Sequence, residues 1–185
     1  MSPLVGYSIG VKRRDGLATD TEKERRKDMK FWILMIFAVA QPARRMIERI
    51  NEKIEKIALN PFGVTMKQYE KIEALVDKKS ALSNLIVMQE RVSSVISRDE
   101  AVALQFYSAG RTAKEIGQVK GESPAVVYGK IRSAICKGAK MLEKDGYTQE
   151  RLEREYLGIA EIKSAYDRVK SQRRKAPTKN CALVF

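Results

Sequence analysis

The feature that most constrains the fold of this chain is the punctuation between Ser97 and Leu142, where helix starts and stops alternate at short intervals. Ser97 is a capping residue followed three positions later by Glu100, and apolar residues then recur at helical spacing through Tyr107. Gly110 ends that segment. Thr112 to Val119 supplies a second, shorter helix with Ala113 and Ile116 on its inner side, and Gly121 occupies the tight turn where a positive φ is easiest to place. Ser123 can cap a third helix, and Pro124 fits its first turn, where a missing amide proton costs nothing. Val127, Ile131, Ala134, Ile135 and Leu142 then repeat at helical spacing. The pattern is that of a helix-turn-helix unit.

The rest of the chain agrees with a helical protein. Only five of its 185 residues are prolines, 44% are hydrophobic, and no run sustains an alternation of apolar and polar residues between turn signals. The expected fold class is all-α: a helical hairpin, then a helix-turn-helix domain, then a C-terminal helix. The formal net charge of +13 would draw the chain to a polyanion, of which nucleic acid is the commonest inside a cell. A membrane surface or ribosomal RNA would satisfy the same electrostatics.

The third helix is the expected recognition element, because an α-helix fits the major groove and its first turns reach base edges. Ala125, Val126, Tyr128, Gly129, Lys130 and Arg132 lie on or near the face opposite the stripe of Val127, Ile131 and Ala134. Arg132 and Lys130 could reach guanine edges or phosphates, Tyr128 a phosphate and Val126 a thymine methyl group. From Arg111 to Lys144 there are eight basic residues against three acids, a local balance of +5. The candidate DNA-contacting set is Arg111, Lys114, Ser123, Ala125, Val126, Tyr128, Lys130, Arg132 and Lys137. The other reading of the same residues is three core helices with solvated lysines.

The series Glu115-Ile116-Gly117, Gly121, Ser123, Val127, Arg132 and Ala134 resembles region four of bacterial sigma factors. In layout, with a helical hairpin before the helix-turn-helix, the chain is most similar to the small sigma-like late-gene transcription regulators of phages and prophages. The likeness covers about residues 44 to 142, and only the helix-turn-helix part carries positional motifs. It implies double-stranded DNA as the partner at promoters, with RNA polymerase as a further contact. The chain departs from the pattern at Gly117, where such proteins usually have alanine, and at Lys120 and Glu122, where they have apolar residues. A charged side chain under the turn must snorkel outward, since a buried unpaired ammonium is costly, so the second helix is expected to be short or loose.

Upstream, Ile47, Ile50, Ile54 and Ile57 recur at intervals of three, four and three and form a coiled-coil seam. Asn60-Pro61-Phe62-Gly63 breaks it, and an amphipathic segment from Thr65 to Ile96 completes an antiparallel hairpin. The hairpin reads equally as a homodimerisation or polymerase-gripping surface and as one that only buries its own seam.

The segment Phe31 to Ala40 is apolar on every side for ten positions. A membrane-spanning helix needs about 20 apolar residues, which argues against a span. Ala38-Val39-Ala40 has the small-x-small form of a signal-peptidase site, and initiation at Met29 would create a short signal. The charged leader of 30 residues in front of it favours a buried helix or a subunit contact instead, and with it a cytoplasmic protein. Pro42 is expected to end or kink this helix.

Residues 1–28 read as a flexible basic arm that could follow DNA phosphates. Leu152, Tyr156, Ile159, Ile162, Tyr166 and Val169 mark one further amphipathic helix, and from Lys163 to Lys179 seven basic residues face one acid. Such a tail could add nonspecific DNA affinity. The expected division is therefore 1–28 arm, 29–97 apolar helix and hairpin, 98–144 helix-turn-helix, and 145–185 C-terminal helix and basic tail.

Residue types that carry chemistry are few. There is no histidine, and Cys136 and Cys181 are too few and too far apart for a zinc site, so neither a metal nor another cofactor is expected. Cys136 falls in the pattern of the third helix and reads as a small core residue. With no glycine-rich phosphate loop, serine nucleophile motif or carboxylate pair, an enzyme is not expected. The two functional readings left are a DNA-binding transcription regulator and, as the alternative, a helical protein-interaction module that binds RNA polymerase or another partner without reading DNA.

Overall fold

The computed structural model describes residues 20–174, with side chains placed for residues 29–172. These residues form seven α-helices and no strand: α1 (Asp20–Ala58), α2 (Met66–Val95), α3 (Arg98–Ser108), α4 (Ala113–Lys120), α5 (Pro124–Lys144), α6 (Gln149–Tyr156) and α7 (Ala160–Arg174). The fold is all-α, as the sequence pattern predicts.

The all-round apolar segment settles the architecture. Trp32, Ile33, Leu34, Met35 and Ile36 are all completely shielded from solvent, and Phe37, Val39 and Ala40 nearly so. A helix that is apolar on every side must be covered on every side. Here α2, α3, α5, α6 and α7 all pack on α1, and one apolar core runs through all of them. Phe31 to Ala40 is thus the centre of the core within a single chain. Because the core is continuous, the boundaries expected after residues 97 and 144 separate elements of one packed body. No helix among the described residues is long and apolar enough to cross a membrane.

α1 departs from expectation at both ends. It begins at Asp20, so the last nine positions of the expected arm are helical, while residues 1–19 lie outside those described. It also runs through Pro42 to Ala58. Proline deprives the Ala38 carbonyl of its helical donor, but Pro42 is exposed, on the side where water can replace that bond. At 1.5 Å per residue, the 39 residues of α1 span about 58 Å.

The far half of α1 leaves the core and pairs with the first half of α2 as a two-helix arm. Ile50 is buried, Ile47, Ile54 and Ile57 are half-buried, and between Asn51 and Ala81 no side chain is fully buried. α2 starts with a reciprocal cap: the Thr65 hydroxyl accepts from the Gln68 amide, and the Gln68 side chain accepts from the Thr65 amide at 2.8 Å. At the tip Leu59, Phe62, Met66 and Tyr69 are exposed, Phe62 by 96%.

The single C-terminal helix expected from the periodicity is two helices, broken at Leu157, Gly158 and Ile159. The break lets Tyr156 and Tyr166 both meet Trp32, with ring centroids 6.4 and 4.9 Å away. The tail residues Lys175 and Lys179 lie outside the described residues.

Gly138 marks the tightest crossing in the core. A Cβ there would lie 2.8 Å from Val92 Cγ1 and 3.1 Å from Ile33 Cδ1, so α5 approaches α1 and α2 more closely than a methyl group allows.

Trp32→Ala is expected to destabilise the chain by about 3 to 5 kcal/mol, because it removes the aromatic surface on which α6 and α7 close. Urea denaturation monitored by circular dichroism measures the loss, and limited proteolysis should show cleavage first beyond residue 145.

Candidate nucleic-acid interface

Three capped helices build the candidate site. Ser97 Oγ accepts from the Glu100 amide, and the Glu100 carboxylate accepts from the Ser97 amide at 2.7 Å. The same reciprocal cap opens α4, where Thr112 pairs with Glu115. The Thr112-x-x-Glu115 spacing carries the signature of such a cap, although it was not among the caps read from the sequence. Ser123 caps α5 by accepting from the Val126 amide, with Pro124 in the first turn. Hence Ser123, one of the expected contact residues, has a structural role at the helix start.

The turn between α4 and α5 comprises Gly121, Glu122 and Ser123. Gly121 has φ +67, in the left-handed region, and the Gly117 carbonyl accepts from both the Gly121 and the Glu122 amides. This closure brings the Glu122 carbonyl oxygen far inside van der Waals contact of where a Cβ on residue 117 would lie. Glycine at 117 is thus matched to a turn folded tightly onto α4. α4 is short, at eight residues, but capped at both ends.

Lys120 and Glu122 are both paired. Lys130 Nζ lies 2.7 Å from Glu122 Oε1 and 3.2 Å from Asp99 Oδ2, while Lys120 Nζ lies 3.5 Å from Asp99 Oδ1. Four side chains thus link the start of α3, the end of α4, the turn and α5. The Lys130 ammonium is held protonated above its ordinary range, first by its hydrogen bond to Glu122. The Asp99 carboxyl is held below its own, first by the bond from Lys130 and then by the Lys120 charge.

These contacts revise the expected readers. Lys130 is committed to the network under the turn and is not a free cation for a guanine. Lys137 is committed too: its ammonium lies 2.9 and 3.0 Å from the two carboxylate oxygens of Glu100, a residue only 7% exposed. The Glu100 carboxyl is pushed down to about 2 by the Ser133 hydroxyl, the Ser97 amide and the Lys137 charge, which together outweigh its burial. Tyr128 stays half open, but its ring packs edge-on against Tyr107 at 6.5 Å. Arg111 is exposed and lies over the Phe106 ring, 5.4 Å from its centroid.

The other expected residues remain open. Lys114 on α4 and Ala125, Val126 and Arg132 on α5 are exposed, and Lys114 and Arg132 make no hydrogen bond or ion pair within the described residues. The three on α5 stand out from a helix whose inner stripe of Val127, Ile131, Ala134, Gly138 and Leu142 is buried. Cys136 belongs to the outward side as well and is exposed, contrary to its expected place in the core, because it falls half a turn from that stripe. Asp99, Lys120 and Glu122 were not singled out together from the sequence. Their link to Lys130 needs the turn closed in three dimensions, and no spacing rule encodes it.

No family model, curated protein or solved structure matches this chain.

Two outcomes follow from this geometry. Gly117→Ala should force the turn off α4 and cost about 1 to 3 kcal/mol, measured by chemical denaturation, although alanine is the better helix former. Glu100 has a folded-state pKa below its ordinary value of 4.5, so its stabilisation is complete above pH 4.5 and is lost as pH falls toward about 2. Glu100→Gln should therefore be less stable than the natural chain above that window, and the difference should shrink within it; denaturation midpoints across the window check this.

Proposed function

We propose that the chain is a transcription regulator that binds double-stranded DNA, reads promoter sequence with the exposed side of α5, acts in the cytoplasm and catalyses no reaction. One observation carries the reading. The first half of α5 is fixed from behind by its buried stripe, by the Ser123 cap and by the four-residue charge network, yet it presents Ala125, Val126 and Arg132, unpaired among the described residues, to the outside. A helix held rigidly with small side chains and one free guanidinium on its leading turns suits entry into a major groove.

The roles divide by what each side chain has free. Arg132 has its five donors available and can make a two-pronged contact to a guanine edge. Val126 offers an apolar contact for a thymine methyl group. Lys114, Arg111 and the Tyr128 hydroxyl serve phosphates and set register without reading sequence. Lys130 and Lys137 act from behind, by holding α5 against α3 and the turn. The sigma-like resemblance extends the proposal to action beside RNA polymerase.

The exposed tip of the arm favours a second reading. Leu59, Phe62, Met66 and Tyr69 are large apolar residues open to solvent at the end of a two-helix projection, and a protein-interaction module would use them. The two readings differ in their response to salt, since phosphate contacts release counterions and apolar contacts do not.

Titration of a labelled mixed-sequence duplex across a salt series should show affinity falling steeply as ionic strength rises, with a slope reduced by about one in Lys114→Ala. Arg132→Ala should lower discrimination between duplexes by roughly 1 to 3 kcal/mol. No binding at any salt would leave the interaction-module reading in place, and an equal loss on every sequence would remove Arg132 from the reading role.

A further inference from the structure

Three glycines lie inside described helices, and two of them have a reason within the chain. Gly117 has the Glu122 carbonyl against it, and Gly138 has Val92 and Ile33 against it. Gly129 has none. Its φ is not in the left-handed region, it is exposed, and a Cβ built on it would meet nothing within 4 Å among the described residues. Glycine in a helix interior is unfavourable relative to alanine, because it loses more backbone freedom on folding. The chain therefore carries a weakened point in the middle of α5 that no packing among the described residues requires.

The position of that point is specific. Gly129 lies one turn beyond Ala125 and three residues before the unpaired Arg132, on the side away from the buried Val127 and Ile131. Glycine is the residue used where a backbone must come close to a ligand, since any side chain would hold the two apart.

We propose that Gly129 is the point of closest approach between α5 and the DNA, where the sugar-phosphate wall of the groove lies directly against the helix backbone. This rests on the DNA-binding reading given above. Contact at 129 brings Arg132, one turn further along, within reach of the base edges. A methyl group at 129 lifts the helix out of the groove and lengthens the Arg132 contact. Binding strength is thus set by the size of the side chain at 129, while stability of the free protein runs in the opposite direction.

The test uses the full chain and two variants, Gly129→Ala and Gly129→Leu, both better helix formers than glycine. Melting temperature is measured on the free protein, and affinity by anisotropy on a mixed-sequence duplex, with Arg132→Ala in parallel. The expected result is a melting temperature raised by roughly 2 to 4 °C in Gly129→Ala. Its binding should weaken on the order of tenfold, and that of Gly129→Leu further still. Variants that bind as tightly as the natural chain, while Arg132→Ala weakens binding, would overturn the close approach and leave the DNA-binding reading standing. A lowered melting temperature in Gly129→Ala would overturn it as well, by giving the glycine a structural cause. Failure of the natural chain itself to bind the duplex would remove both.

Discussion

Everything in this structure depends on one stretch of α1 having nowhere to go but inside. Ten successive apolar residues cannot present a polar face in any rotation of a helix, so each neighbour has to supply part of a complete sheath. Trp32 takes the two tyrosines of α6 and α7, while Ile33 meets α5 where Gly138 permits the closest crossing. Burying side chains of this size contributes about 1.5 to 3 kcal/mol each. That is why α5, although it belongs locally to the short capped unit with α3 and α4, is anchored to the centre of the molecule over its second half. The outer side of the first half stays open, and the candidate interface is the outer side of a helix whose inner side is part of the core.

A second constraint acts under the turn. Lys120 and Glu122 lie at the turn, and the expectation was that their side chains would turn outward. Instead they are partly buried and find partners in Asp99 and Lys130. Isolated exposed ion pairs contribute little, commonly under about 1 kcal/mol, but here four side chains share each other's ordering cost and join three helices and the turn. The exchange has a functional side: Lys130, on the helix proposed to read DNA, becomes part of the frame. Lys137 does the same through Glu100, whose carboxylate also caps α3. Cations that look available in a linear count are thus paired with carboxylates, and the basic balance overstates the charge a phosphate would meet.

Local chemistry was legible and long-range pairing was not. Ser97, Thr112 and Ser123 each start a helix within one residue of where the sequence places it, and Gly121 ends α4 in the left-handed conformation expected of it. These signals act over four or five residues and survive any tertiary context. The hairpin seam was legible for the same reason, through the isoleucine spacing. By contrast, Pro42 suggested a helix end and α1 passes through it, because its exposure lets water replace the lost donor. The apolar spacing from Leu152 to Val169 suggested one helix where there are two, since both halves keep their apolar residues toward Trp32. The commitments of Lys130 to Asp99 and of Lys137 to Glu100 span 31 and 37 positions, beyond the range of any spacing rule. In the candidate site, the outward residues Ala125, Val126 and Arg132 were correctly separated from the buried stripe by period alone. The unexplained openness around Gly129 needed the neighbours to be placed.

The central claim is that the outer side of α5 chooses among DNA sequences. Its most direct test is selection of bound molecules from a random duplex pool by the purified full chain at near-physiological salt, followed by sequencing. The expected result is enrichment of a short motif containing at least one strongly preferred guanine, with that preference lost when the selection is repeated with Arg132→Ala. A pool recovered without any enriched motif would contradict it, and would reduce the basic surface to a sequence-blind anchor.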